Sequence, residues 1–248
     1  MALPRPRSQR ANANRCLDPL THAMTISLII PALNEAPTLG PLIARIPRGL
    51  VGEVIVVDNG STDGTDVAAA QAGARVVTET RRGYGSACWA GVNALGPTTE
   101  IVVFFDGDGS QRPEELPRVV DPIVAGQAEL VLGARRLSGA HPLHATLGTR
   151  LVAMLITWRY GQRITDIPPF RAIRVELLHR LRMRDRAFGW PAEMVVKAAA
   201  LRARIVEVPV AHELRLAGRS KVSGTLVGSV RAGYGYLRAA LRAAADVR

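Results

Sequence analysis

The sequence is poor in cysteine and in long apolar runs. Cys16 and Cys88 are the two cysteines among 248 residues, so neither a disulfide framework nor a cysteine-based zinc site is expected. No apolar stretch reaches the roughly 18 residues needed to span a bilayer. The longest candidate, Leu147–Trp158, is interrupted by Arg150. These features predict a cytoplasmic protein without a membrane-spanning segment.

Acidic and aromatic residues are also scarce. The chain has 32 Lys and Arg against 21 Asp and Glu, which gives a formal net charge of +11. This excess favours anionic partners: nucleic acid, phosphorylated ligands or an anionic membrane surface. Aromatic residues make up 4% of the chain, and no aromatic platform accompanies the basic stretches. A nucleic-acid-binding module is therefore a remote alternative, and we expect no nucleic-acid partner.

The remaining composition suits one large domain with extensions, because 48% of the residues are hydrophobic. Residues 1–23 are rich in arginine and lack a continuous apolar segment, which predicts a disordered basic tail and not a secretory signal. Met24 directly precedes the first predicted strand, so either Met1 or Met24 can be the start. Residues 24–225 are predicted to form the domain and residues 226–248 a C-terminal amphipathic helix.

Apolar runs of strand length alternate with helical segments through the first half of the chain. The predicted strands are 26–31, 53–58, 74–78, 101–105 and 129–132. Helices are predicted from about Thr38 and over 67–71, 84–95 and 114–125, with the Ser, Thr and Asp side chains of 61–65 capping the second. This alternation predicts an α/β fold with a mostly parallel sheet flanked by helices.

Beyond Arg135 the pattern is less regular. We predict helices over 147–159, 191–200 and 225–245, a strand over 205–211 and a basic loop over 214–224. Pro168 and Pro169 exclude a regular element around them. The last helix should carry an apolar stripe flanked by arginines, which predicts either contact with a membrane or packing on the domain. The stripe consists of Leu226, Val230, Tyr234, Leu237 and Leu241, and the arginines are Arg231, Arg238 and Arg242.

Polar clusters follow three of the predicted strands. These clusters are Asn34 with Glu35, Asp58 with Asp63, and Asp106 with Asp108. Each alone is compatible with turn chemistry, but parallel strands end at one edge of a sheet, so the three should converge. Repelling carboxylates in a basic protein need a cation or a hydrogen-bonding ligand between them. A nucleotide with Mg²⁺ or Mn²⁺ meets that need, with Asp106 and Asp108 as the metal ligands.

Several short motifs occur in a fixed order along the chain. They are Pro31-Ala32-Leu33-Asn34-Glu35, the segment 56–65, Gly83-Tyr84-Gly85, Asp106-Gly107-Asp108, Gly133-Ala134-Arg135, Thr165-Asp166 and the segment 215–221. In combination they resemble the family 2 glycosyltransferases with the GT-A (Rossmann-like) fold, nearest to the polyprenyl- or dolichyl-phosphate sugar synthases. The resemblance covers roughly residues 25–225.

The resemblance implies an inverting glycosyltransferase that moves a sugar from a nucleotide-diphosphate sugar to an acceptor, expected to be a polyprenyl phosphate. Its implied catalytic and metal-binding residues are Asp106 and Asp108, where a cation neutralises the leaving nucleoside diphosphate. The implied donor-binding residues are Pro31, Leu33, Glu35, Asp58, Gly83, Asp106 and Gly107. The implied acceptor-binding residues are Arg135, Arg215, Ser220 and Lys221. We expect such an enzyme to be peripheral at the cytoplasmic face of the membrane.

Two departures from the family pattern concern the sugar and the loop geometry. Gly109-Ser110-Gln111 follows the two aspartates where the family often has Gln or His, and Pro169-Phe170-Arg171 stands where Gly-Phe-Arg is common. The alternative acceptor is a soluble or sugar hydroxyl, which would need a general base, and Glu193 is the candidate. The competing interpretation of Glu193 is an acid that satisfies a helix N-terminus.

Overall fold

The computed structural model describes residues 24–47, 49–137, 143–216, 235 and 237–245. They contain one seven-stranded sheet with the strand order β3-β2-β1-β4-β6-β5-β7. The strands are β1 (Ile26–Ala32), β2 (Glu53–Asp58), β3 (Arg75–Thr78), β4 (Ile101–Phe104), β5 (Leu130–Leu137), β6 (Arg171–Arg174) and β7 (Ile205–His212). All pairings are parallel except those of β6, which runs antiparallel to both β4 and β5.

Helices cover both faces of this sheet. They are α1 (Ala36–Ala44), α2 (Thr65–Gln71), α3 (Tyr84–Asn93), α4 (Leu116–Val124), α5 (Leu143–Tyr160), α6 (Val175–Leu181) and α7 (Trp190–Ala200). Residues 237–245 are also helical and are called α8 below. One core contains Ile29, Phe104 and Trp190 and packs under α3, α5, α6 and α7. The other contains Ile30 and Val103 and packs under α1, α2 and α4. β1 and β4 are covered on both faces and are almost entirely apolar, which made them recognisable in the sequence.

The prediction of a mostly parallel α/β fold is confirmed, and the strand and helix bounds differ from the predicted ones by a few residues. β6 and α6 were missed. The four residues of β6 begin and end with arginine, so they lack the apolar run expected of a buried strand. Its partners are distant in sequence, and the pairing places β6 between β4 and β5.

The predicted side-chain cap of α2 comes from Asp63, one residue before the N-cap position. Gly64 occupies the N-cap position at φ +82°, and Asp63 Oδ1 accepts the backbone N–H of Thr65, the first residue of α2, at 3.1 Å. Asp63 also joins two helices, because its Oδ2 accepts the Ala36 N–H at 3.1 Å and its Oδ1 accepts the Thr65 hydroxyl at 2.5 Å. Burial acts to raise the pKa of Asp63, but these hydrogen bonds outweigh it and lower the pKa.

The described part of the C-terminal helix packs on the domain through small residues. Ala239, Ala240 and Ala243 are buried, whereas Leu241 is 62% exposed. Most of the predicted apolar stripe precedes residue 235 and lies outside the described residues. None of the described helices is long and apolar enough to cross a membrane.

Candidate donor site at the carboxyl edge of the sheet

The segments that follow β1 and β2 are bonded to each other. The Asn34 N–H donates to the Ser61 hydroxyl and the Asn34 side chain accepts the Thr62 N–H, both at 2.8 Å. The Glu35 N–H donates to the Thr65 hydroxyl at 2.9 Å. Asn34 adopts φ +51°, a left-handed conformation that asparagine tolerates. The first two polar clusters therefore converge as predicted.

Asp58 and Asn59 organise the turn after β2. Asp58 is 8% exposed, and its carboxylate accepts the Ser61 N–H at 3.1 Å. Asn59, which the sequence analysis overlooked, donates to the carbonyls of Glu79 and Arg81 and accepts the Gly83 N–H at 2.8 Å. This asparagine thus ties the Asp58 turn to the segment before α3. An asparagine directly after a strand-end aspartate was the signal available in the sequence.

The two glycines at the start of α3 are explained by packing within the protein. Gly83 has φ +145°, and a Cβ there would contact the Arg186 carbonyl oxygen. A Cβ on Gly85 would lie 2.5 Å from the Asp185 carbonyl oxygen. The Gly85 N–H also donates to the Ala187 carbonyl at 2.9 Å. The loop 184–187 therefore seats directly on the beginning of α3.

The two aspartates lie in a tight turn after β4. The Asp106 N–H donates to the Gln111 side chain at 3.2 Å, and Asp108 Oδ1 accepts the Ser110 N–H at 2.9 Å. Gly107 fits between them because a Cβ there would come within 3.2 Å of Ile30 Cγ2. The turn is therefore held against the core by its own backbone and by Gln111.

Arg215 connects the first and third polar clusters. Its Nη2 donates to Glu35 Oε1 at 2.5 Å and its Nη1 donates to Asp108 Oδ2 at 2.9 Å. Two backbone bonds hold the surrounding segment on the aspartate turn, from Glu213 N–H to the Ser110 carbonyl and from Leu216 N–H to the Asp108 carbonyl. Residues 213–216, called the clasp below, thus bring a guanidinium between two carboxylates.

The aspartate pair suits a divalent cation that arrives with a phosphorylated ligand. Burial, followed by the negative charge of Asp108, raises the pKa of Asp106 to about 7, while Arg171, Arg135 and Arg215 oppose the rise. A cation beside Asp106 would relieve this unfavourable charge. No group of three or more His, Cys, Asp or Glu residues placed to hold a metal occurs among the described residues. Mg²⁺ and related ions commonly take one or two carboxylates and complete their shell with substrate phosphates and water.

Two more arginines approach this edge. Arg135 forms a two-point ion pair with Asp166, at 2.8 Å from Nε and 2.7 Å from Nη2. Burial acts to raise the pKa of Asp166, but Arg135 outweighs it and lowers the pKa. Arg171, missed as a site residue, is fully buried, and its Nη1 and Nη2 have no hydrogen-bond partner among the described residues. The motif Pro169-Phe170-Arg171 contained it, but its electrostatic effect on Asp106 requires the antiparallel strand β6.

Glu193 is enclosed by protein groups. It is 4% exposed, and its Oε1 lies 2.6 Å from the Lys197 Nζ. The backbone N–H groups of Arg184 and Asp185 also donate to its carboxylate, at distances between 2.7 and 3.1 Å. Through these contacts Glu193 holds in place the loop 184–187, which contacts the first turn of α3. Of the remaining candidates, Pro31 near the carboxyl end of β1 and Leu33 directly after that strand are both partly exposed, and Ser220 and Lys221 lie outside the described residues.

A largely parallel sheet that gathers carboxylates and a guanidinium at its carboxyl edge is the architecture of a nucleotide-binding α/β enzyme. The family description "Glycosyl transferase family 2" matches residues 27–182. The chain therefore belongs to glycosyl transferase family 2, and it is a glycosyltransferase with the GT-A fold.

Two relatives and one solved structure illustrate the similarity. An uncharacterised glycosyltransferase of Mycobacterium tuberculosis is 44% identical over 207 residues, which cover 83% of this chain and 93% of the relative. An undecaprenyl-phosphate mannosyltransferase of Micrococcus luteus is 33% identical over 224 residues, covering 83% and 90%. The structure of Mycobacterium tuberculosis glucosyl-3-phosphoglycerate synthase with Mn²⁺, UDP and glucosyl-3-phosphoglycerate has a TM-score of 0.74 and 26% identity, covering 90% of this chain and 80% of that one.

Proposed function

We propose that the enzyme transfers a sugar from a nucleotide-diphosphate sugar to a polyprenyl phosphate, with inversion at the anomeric carbon. The observation that carries the donor half is the convergence of Glu35, Asp58, Asp106 and Asp108 at one sheet edge, with Arg215 between two of them. The similarity to an undecaprenyl-phosphate mannosyltransferase supports the acceptor half. The Mn²⁺ and UDP in the glucosyl-3-phosphoglycerate synthase structure support a metal-bound donor.

In the proposed reaction an acceptor phosphate oxygen attacks the anomeric carbon, and the bond from that carbon to the nucleoside diphosphate breaks. Asp106 and Asp108 hold the cation, Mg²⁺ or Mn²⁺, which when bound supplies charge neutralisation for the leaving diphosphate. Pro31, Leu33, Asp58 and Gly83 border the nucleoside. Arg135, oriented by Asp166, and Arg215 with Ser220 and Lys221 hold the acceptor phosphate. An ionised phosphate needs no base, so Glu193 has no catalytic part in this proposal.

The donor half is tested by removing the metal and its ligand. EDTA should abolish transfer and excess Mg²⁺ or Mn²⁺ should restore it, while Asp108→Asn should lose most activity with unchanged thermal unfolding. Asp121→Asn, an exposed aspartate on α4, is the matched control and should behave as wild type. Full activity of Asp108→Asn with donor bound as before would refute the metal assignment.

The acceptor half is tested by the double variant Arg215→Ala/Lys221→Ala. We expect loss of transfer to a polyprenyl phosphate while donor affinity, measured by calorimetry, is preserved. Wild-type rates on the lipid acceptor would remove these residues from the acceptor site. If donor affinity falls instead, Arg215 belongs to the donor site. Its contact with Asp108 makes this the specific alternative.

A second candidate acceptor is a small soluble phosphorylated compound. The observation in its favour is the fold similarity to glucosyl-3-phosphoglycerate synthase, which resembles this chain over 90% of its length. Assays with 3-phosphoglycerate and with a short-chain polyprenyl phosphate, each with a panel of nucleotide sugars, separate the two. For a lipid acceptor we also propose peripheral association with the cytoplasmic face of an anionic membrane.

A further inference from the structure

The outward face of α5 is apolar and aromatic where a surface helix is ordinarily polar. Trp158 is 81% exposed and Met154 is 61% exposed. With the exposed Arg150 they recur every fourth residue, so the three lie along one side of the helix. Val152 and Ile156, on the opposite side, are buried in the core. The helix is therefore already anchored, and its tryptophan is not needed for that packing.

The same face has uncompensated positive charge. Residues 130–165 contain no Asp or Glu. Arg150, Arg159 and Arg163 are exposed, and none forms an ion pair with a described residue. The Arg159 guanidinium lies over the Tyr160 ring at 5.2 Å from its centroid. The outward face of α5, defined by Arg150, Met154, Trp158 and Arg159, thus combines apolar side chains with cations, and the exposed Arg163 follows three residues after the helix.

We infer that the outward face of α5 docks on an anionic lipid bilayer. Tryptophan prefers the boundary between headgroups and acyl chains, methionine suits the acyl region, and arginines pair with lipid phosphates. A second copy of the chain fits less well, because two such faces would oppose arginines with no carboxylates between them. The inference rests on the proposed function, since a lipid acceptor requires access to a membrane.

The exposed end of α5 lies toward the edge of the sheet opposite the aspartate turn. α5 follows the carboxyl end of β5, and the Gln162 side chain, two residues after the helix ends, donates to the carbonyl of Ala203, just before β7 begins. A bilayer against the outward face would therefore contact the domain at a distance from the entrance proposed for the acceptor phosphate. This surface is separate from the stripe predicted for the C-terminal helix.

The test uses vesicles that contain neither donor nor acceptor. Wild-type protein should co-sediment with phosphatidylcholine vesicles containing phosphatidylglycerol, bind pure phosphatidylcholine weakly, and dissociate as salt rises. Met154→Ser/Trp158→Ser should lower the apparent partition coefficient by about tenfold or more. The matched control is Val67→Ser/Val124→Ser, which removes two exposed apolar residues from α2 and α4 on the other face of the sheet and should bind as wild type.

Tryptophan fluorescence gives an independent readout. Trp190 is fully buried and Trp89 packs against it, so Trp158 is the tryptophan available to the bilayer. Brominated acyl chains should quench the emission of wild type and not that of Trp158→Phe. Equal binding by the Met154/Trp158 variant and wild type, or dimers in sedimentation that this variant dissociates, would overturn the inference. Failure of transfer to polyprenyl phosphate with Trp158-dependent docking intact would refute the proposed function alone.

Discussion

At the scale of single residues, Asp58 holds a turn with a carboxylate that could also receive a ligand. It is 8% exposed, and both of its carboxylate oxygens accept the Ser61 N–H. Carboxylate oxygens can accept more than one hydrogen bond each, so this contact leaves capacity for a nucleobase. The proposed roles in turn and donor recognition are therefore compatible.

We expect Asp58→Ala to raise the donor KM more than tenfold, because a buried polar contact to the base is lost. Steady-state kinetics with varied nucleotide sugar measure this. Asp66→Ala, an exposed aspartate on α2, is the control and should leave KM unchanged. An unchanged KM in Asp58→Ala, together with a lower unfolding temperature, would make Asp58 purely structural.

Asp106 should make the metal-free protein sensitive to pH. Burial and Asp108 raise its pKa to about 7, so over pH 4–7 the folded carboxyl keeps a proton that the unfolded one has lost. This contribution to stability therefore falls as pH rises through that window. Asp106→Asn removes it, and the variant should gain up to about 4 kcal/mol over wild type between pH 4 and pH 8.

Chemical denaturation at several pH values measures this difference in the free energy of unfolding. Saturating Mn²⁺ should stabilise wild type at pH 8 and leave the variant nearly unaffected. A difference between the two proteins that does not change with pH would contradict the assignment.

The sequence predicted which residues follow the strands, because turn chemistry after an apolar run is local. It did not predict their partners. Arg215 was assigned to an acceptor phosphate from the family resemblance, yet in the structure its guanidinium contacts Glu35 and Asp108. Those contacts depend on the clasp returning from β7, more than 100 residues after the aspartate turn. Pairings at such separation have no local signature.

At the scale of elements, α7 supports the site through a loop. Glu193 bonds two backbone N–H groups of the loop 184–187, and that loop bonds the first turn of α3 beside Gly83. The sequence offered Glu193 as a base or as a helix-terminal acid. Neither interpretation included Lys197, although a Glu and a Lys four residues apart on a helix are neighbours.

We expect Glu193→Gln to lower the free energy of unfolding by about 3 kcal/mol or more, because the buried Lys197 ammonium loses its carboxylate and keeps a neutral contact with the Arg182 carbonyl. Lys197→Met should also destabilise, and the double variant should lose less than the sum of the two. Urea denaturation of the four proteins gives the coupling. A large fall in kcat with unchanged stability would restore the role of base.

At the scale of the whole molecule, β6 unites two blocks of the sheet. One block is β3-β2-β1-β4 and the other is β5-β7, and β6 is the strand between them. The strands of the first block could be predicted from the sequence because each contains a local apolar run. The junction could not, because the four residues of β6 contain two arginines and pair with strands on both sides.

Ile173, in the centre of β6, is fully buried. Ile173→Ala should therefore lower the free energy of unfolding by about 2–5 kcal/mol through lost burial and the cavity left behind. Ile43→Ala, at a partly exposed position of α1, removes the same atoms and should cost less than half as much. Denaturant titration of both variants measures the two losses in the free energy of unfolding. Equal losses would contradict the role of β6 as a buried central strand.

The strand order also has a consequence during synthesis. β5 pairs with β6 and β7, both of which lie after it in the chain, so β5 leaves the ribosome before either partner exists. Between residues 137 and 171 translation at about 5–20 residues per second takes roughly 2–7 s. During that interval β5 is unpaired, while the strands β1 to β4 are already synthesised and able to pair with one another. A nascent chain that stalls in this interval exposes unpaired backbone groups of β5 that can pair with another chain. Synthesis of residues 171–212 provides β6 and β7, which pair with β5 and remove this risk.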